Sequence, residues 1–148
     1  MKRFIPAIII TLLAITVQKV WLSDPGITTP KCIAVVIDYR TLNNNDSYFR
    51  CFPSIEDKNA LDLLKASNNQ ITGTAKYGDQ VVCRVNNLPS ESTERCITMP
   101  PANAYWAVLV KHGGKWDYSK FAISKTVLHP GDSLGLVWAP GGKVKFPK

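Results

Sequence analysis

Cys83 and Cys96 bracket a polar loop, and soon after the second cysteine the chain turns through Pro100-Pro101 into Ala102-Asn103-Ala104-Tyr105-Trp106. No other stretch limits the fold so strongly. A disulfide there would close the loop, the two prolines fix φ in succession, and an aromatic pair must then be placed at once on a strand. With Cys32 and Cys51 the chain has four cysteines. Their spacings lack the C-x₂₋₄-C knuckle of a zinc site. In an exported chain they read as two disulfides, for which three connectivities are open. Cys32–Cys51 with Cys83–Cys96 is preferred, because each pair joins neighbouring predicted strands. Closing a loop of roughly 15 residues stabilises by about 3 kcal/mol in the chain-entropy model, a large share of a small domain's stability.

The start of the chain supplies the exported context. Met1-Lys2-Arg3 precedes residues 4–17, which carry no charge. This is the outline of a secretory signal, and it is shorter than the roughly 18–20 apolar residues of a membrane span. Lys19 and Trp21 occupy positions where a cleavage site wants small residues. Residues 1–23 therefore read as a signal peptide or as an uncleaved signal anchor that would tether the protein to the membrane. Either reading places the remainder outside the cytoplasm, secreted or on the outer face of the cytoplasmic membrane. Of the 18 Lys and Arg, three lie in this leader, which leaves 15 against 11 Asp and Glu. That balance is mildly basic and does not suggest nucleic-acid binding. Residues 24–31 form a linker, 32–140 one domain, and 141–148 a basic tail with Lys143, Lys145 and Lys148, read as a solvated, frayed end.

Residues 32–39 predict a central strand: Ile33, Val35, Ile37 and Tyr39 share one face, and Ala34 and Val36 make the other apolar too. Asn43-Asn44-Asn45-Asp46 is a turn, and residues 48–52 return as the second strand of a hairpin. Ser54-Ile55-Glu56-Asp57 has the form of a helix start. Ala60, Leu61 and Leu64 then recur at helical spacing, and Asn68-Asn69 ends a helix of about three turns. Residues 71–77 predict a weaker strand or extended segment, Gly78-Asp79 a turn, and 80–85 another strand, which carries Cys83. Residues 104–110 form a strand with two apolar faces, His112-Gly113-Gly114-Lys115 turns into 116–118, and His129-Pro130-Gly131-Asp132 turns into 133–139. The order of hairpin, helix and several strands predicts an α+β fold. A β-grasp-like mixed sheet packed by one amphipathic helix satisfies it.

The segments Val35-Val36-Ile37-Asp38-Tyr39, Ala60-Leu61-Asp62-Leu63-Leu64, Val82-Cys83-Arg84-Val85, Cys96 followed by Pro100-Pro101-Ala102-Asn103-Ala104-Tyr105-Trp106, Gly114-Lys115-Trp116-Asp117-Tyr118 and Pro130-Gly131-Asp132 together resemble one known group. These are exported bacterial domains of unknown function, similar to the C-terminal domain of transcobalamin and intrinsic factor, and the actinobacterial branch is the nearest in pattern. The resemblance spans residues 32–139. It implies a β-grasp-like fold, an extracytoplasmic address and two local disulfides, and it implies no reaction. The vitamin carriers hold cobalamin between a helical barrel and this small domain. No such barrel is encoded here, so no cofactor is expected.

For chemistry the sequence offers little. His112 and His129 each precede a tight turn, with Asp117 and Asp132 the nearest acids. An enzyme would require both histidines and an acid to converge within hydrogen-bond reach. No nucleophile motif is present, and Gly113-Gly114 and Gly141-Gly142 lack the spacing and following helix of a phosphate loop. Asp38, Asp117 and Asp132 would make a calcium site only if folding gathered them. The expectation is therefore a non-enzyme without a metal site. The aromatic residues of the C-terminal strands are the remaining candidates. Trp106 and Trp138 read as core. Tyr105, Trp116 and Tyr118, with Asn103, read as a ligand-binding patch beside the Cys83–Cys96 loop, serving an unknown small ligand or a cell-surface partner. The alternative is a membrane-tethered structural accessory protein with no small-molecule ligand.

Overall fold

A computed structural model of the protein describes residues 29–147. The leader at 1–23, most of the 24–31 linker and Lys148 lie outside the described residues.

β1 (Lys31–Asp38) pairs antiparallel with β2 (Ser47–Ser54), Ala34 standing opposite Cys51. Asn44 and Asn45 turn the hairpin with φ of 49° and 61°, a left-handed backbone that asparagine adopts more readily than most residues. The helix expected from residue 54 begins later. The Ser54 hydroxyl accepts the Glu56 N–H at 3.1 Å and donates to the Glu56 carbonyl at 2.8 Å, closing a local turn at the end of β2. Lys58 and Asn59 then form the short strand β3 (Lys58–Asn59). Asn59 is the true cap of α1 (Ala60–Ala66), its Oδ1 accepting the Leu61 N–H at 2.9 Å. The helix is thus seven residues long rather than three full turns. It buries Ala60, Leu61, Leu63 and Leu64 against the sheet, and the chain leaves it through Asn68 at φ 61°.

The strands predicted at 71–77 and 80–85 contract to β4 (Ile71–Thr72) and β5 (Arg84–Val85). Between them, Thr74 and Gly78 exchange backbone hydrogen bonds of 3.1 and 2.7 Å, so the chain folds back at once. Gly73 lies so close to the Gly78 carbonyl that a side chain there would collide with it. β6 (Ala104–His112), β7 (Lys115–Tyr118), β8 (Val127–Leu128) and β9 (Ser133–Pro140) complete the chain. β3 pairs with β8. The main sheet runs β2-β1-β9-β6-β7, with β1 and β9 parallel and the other neighbours antiparallel. Among the described residues the result is an α+β fold with a mixed, five-stranded sheet and one α-helix.

Alternation along each strand produces two apolar layers. Toward the helix, Ile33, Val35, Ile37, Leu134 and Leu136 are completely buried. Trp106 meets Tyr39 and Trp138 edge to face, with ring centroids 5.5 and 5.7 Å apart, and its indole N–H donates to the Leu88 carbonyl at 3.1 Å. The opposite face carries Ala107, Leu109 and Val137, covered by Tyr105, Trp116 and Val144. This explains why β6 is apolar on both sides. It also explains Gly135, where a Cβ would press on the Trp116 ring at 3.0 Å.

The basic tail is not frayed, contrary to the reading from its charge. Val144 packs on the outer layer, Phe146 meets Tyr118 edge to face at 6.1 Å, and Arg40 donates to the Lys145 carbonyl at 2.7 Å. Lys143 and Lys145 are exposed, while Val144 between them covers the sheet. Cys32–Cys51 bridges β1 and β2, and Cys83 bonds Cys96. The second bridge joins no pair of main-sheet strands. It fastens the residue before β5 to a loop whose Cys96 carbonyl accepts the Ala75 N–H at 2.7 Å. Two disulfides are consistent with an oxidising, extracytoplasmic address. Among the described residues, no helix is long and apolar enough to cross a membrane.

Candidate functional site

β7 is short, and its length shapes the surface. It pairs with β6 only from Leu109 to His112, and the ladder ends on one further bond, Ser119 N–H to Val108 C=O at 2.9 Å. Beyond that bond the chain swings away through Phe121 and Ala122, leaving the first half of β6 without a paired neighbour on that side among the described residues. The gap is a groove of about 620 Å³. Tyr77, Val81 and Val82 wall one side with Met99 and Pro100. Tyr118, Phe121 and Ile123 wall the other, and Tyr105 to Val108 form the base. The Cys83–Cys96 bridge lies behind the first wall, holding the 74–82 turn and the chain leading to Met99 together.

None of the residues lining this groove is charged. Met99 and Phe121 are 59% and 65% exposed, values that leave large apolar side chains in water at its rim. Tyr105 and Tyr118 come together here. Burial raises the Tyr118 phenol above its ordinary pKa, and Tyr105 beside it adds in the same direction. Two other residues singled out in the sequence lie elsewhere. Trp116 covers Gly135 and the outer layer of the sheet. Asn103 is exposed and uses its backbone carbonyl to accept the Gly142 N–H at 3.1 Å. Met99, Phe121 and Tyr77 are the residues that sequence reasoning missed. The one available signal was Met99 directly before Pro100-Pro101.

A second groove of about 490 Å³ lies on the other flank of β7. Its lining includes His112, Lys115, Asp117, Lys120, Lys125 and His129. Here the histidines do converge with acids. His112 Nδ1 lies 2.7 Å from Asp132 Oδ1, and Asp132 Oδ2 accepts the His129 backbone N–H at 2.9 Å. His129 Nδ1 lies 2.7 Å from Asp57 Oδ1, and the two imidazoles meet edge to face at 6.3 Å. Hydrogen bonding to Asp57 and the charge of that carboxylate raise the His129 pKa above 6.5. Nucleophilic catalysis by such pairs would need a nucleophile at the far ring nitrogen. The nearby hydroxyls are engaged otherwise: Ser119 and Thr126 bond each other at 2.8 Å and both reach the Phe121 carbonyl. The acids considered for calcium are dispersed, with Asp38 paired to Arg40 at 3.0 Å, Asp117 bonded to the Tyr118 N–H and Asp132 held by the histidines. Cys83, Glu94 and Cys96 are close enough to share an ion, but both sulfurs are consumed by the disulfide.

No family model, no curated protein and no solved structure matches this chain.

Proposed function

We propose that the protein is an exported, non-catalytic binding module, and that its ligand enters the uncharged groove along β6. The observation that carries this reading is a concave surface lined wholly by apolar, aromatic and neutral polar residues and rimmed by exposed Met99 and Phe121. Large apolar side chains at the mouth of a cleft are characteristic of recognition surfaces. The ligand is accordingly an uncharged molecule or an apolar segment of a cell-surface partner. The sheet order, with β1 and β9 parallel at its middle and one helix laid across it, supports a β-grasp-like assignment. It thereby supports kinship with the exported domains similar to the transcobalamin C-terminal domain. Both disulfides and the leader support export.

Titration with Nile red, a neutral solvatochromic dye, tests the site. The expected result is saturable binding, weakened at least tenfold by Phe121→Asp or Met99→Asp. Phe49→Asp alters a residue of comparable exposure (68%) on β2 and is expected to leave binding unchanged. Absent saturation, or equal sensitivity to all three substitutions, would overturn the assignment.

A further inference from the structure

The base of the groove is an unpaired strand edge. Strand geometry directs the N–H and C=O of one residue to the same side and those of its neighbour to the other. Val108 C=O points away from β9, because it accepts the Ser119 N–H at 2.9 Å. By alternation, the N–H and C=O of Trp106, two residues earlier, also point away from β9, into the groove. Tyr105, Ala107 and Leu109 direct their peptide groups to β9 instead. Ser119 does not return a bond to the Val108 N–H. Among the described residues, the Trp106 peptide groups and the Val108 N–H therefore have no backbone partner. Backbone polar groups left without partners beside an apolar surface are a template for another strand.

From this we infer that the groove takes an extended peptide segment of a partner protein, which pairs with the Trp106–Val108 edge as an added strand. The inference rests on the binding role proposed above and specifies its ligand. The open edge runs from Trp106 to Val108, since the Ala104 N–H already donates to the Pro101 carbonyl at 3.0 Å; it is roughly 10 Å long at strand rise and suits about three residues. Main-chain hydrogen bonds to Trp106 and Val108 supply the register. Alternate side chains of the peptide meet Tyr77 and Met99 on one wall and Tyr118 and Phe121 on the other. With no charge in the lining, those side chains are apolar or aromatic. A second copy of this chain does not fit through the same strand, since its own β6 edge is recessed between the same walls and cannot enter a matching recess.

The test pans a phage-displayed random heptapeptide library on the full chain, with Nile red as competitor to select groove binders. The best peptide is then remade with each amide N-methylated in turn. The expected pattern has period two: methylation at alternate amides weakens binding at least tenfold, and the intervening positions change it less than twofold. In the free protein, the Trp106 and Val108 amides are expected to exchange hydrogen faster than those of Ala107 and Leu109. Bound peptide is expected to slow Trp106 and Val108 by tenfold or more. Recovery of no competing peptide, or binding indifferent to N-methylation, overturns the inference. So does slow exchange at Trp106 in a free protein that sediments as a dimer. If Nile red still binds in those cases, the groove remains a site for an uncharged ligand and only its peptide occupant is lost.

Discussion

The two grooves beside β7 share Tyr118, Ser119 and Phe121 yet are built on opposite principles. The apolar one is shaped by groups that do not titrate near neutrality: a disulfide behind one wall, the buried Trp106 at its base, and a strand that stops short. The polar one is held by exchangeable protons, with His112 and His129 fastened to Asp132 and Asp57. The first is sensitive to packing and to reductant, the second to pH. The same segment of chain can therefore serve as a fixed wall on one side and an adjustable one on the other.

The largest effect is expected at Trp106. It is 4% exposed and touches Tyr39 and Trp138, so Trp106→Ala should lower stability by about 3–5 kcal/mol in urea unfolding. Nile red binding should be lost with it. A stable variant that merely fails to bind would mean the ring lies outside the core. Next comes the double substitution Cys83→Ser with Cys96→Ser, expected to cost about 3 kcal/mol by loop closure. It should impair the apolar groove while leaving the His112–Asp132 contact, seen in the histidine ring resonances, unchanged. If both grooves respond equally, the contrast between them fails. Asp132 is 5% exposed and accepts from both histidine segments. Asp132→Ala leaves the His129 N–H without its acceptor and should cost about 1–3 kcal/mol, with Nile red binding retained.

Much of the sheet was legible because alternation is a local property: β1, β6 and β9 read directly from residues two apart. The helix start was misread because Ser54 with a nearby acid matches a capping pattern, and nothing local tells that Asn59 is the cap. That choice depends on Lys58 and Asn59 pairing with β8, almost seventy residues on. The groove was hidden for a similar reason, since its walls come from residues 77–82, 99–102 and 118–123 around the 105–108 base. Trp116 could have been placed. Gly135 shares its face of β9 with Ser133, Val137 and Ala139, and a glycine on so shallow a face leaves room for a large ring from a neighbour. The tail was misjudged because its lysines were weighed and the alternating Val144 and Phe146 were not.

The smallest effect is the sharpest test of the contrast. Asp57 raises the His129 pKa through a hydrogen bond and its charge. Asp132 adds in the same direction, and partial desolvation opposes them. A group whose folded pKa exceeds its unfolded value stabilises fully below the unfolded value, near 6.5, and this contribution is lost as pH rises through the folded value. His129 is exposed, so its effect is read from its titration rather than from unfolding. Its ring resonances should titrate above 6.5, and in Asp57→Asn they should move toward 6.5. Nile red affinity should stay flat across the same interval, because the lining of the apolar groove holds no carboxylate, histidine or amine. A parallel change in dye affinity would show that β7 transmits the protonation of His129 to the far wall, and the two grooves would then be one coupled device rather than two independent surfaces.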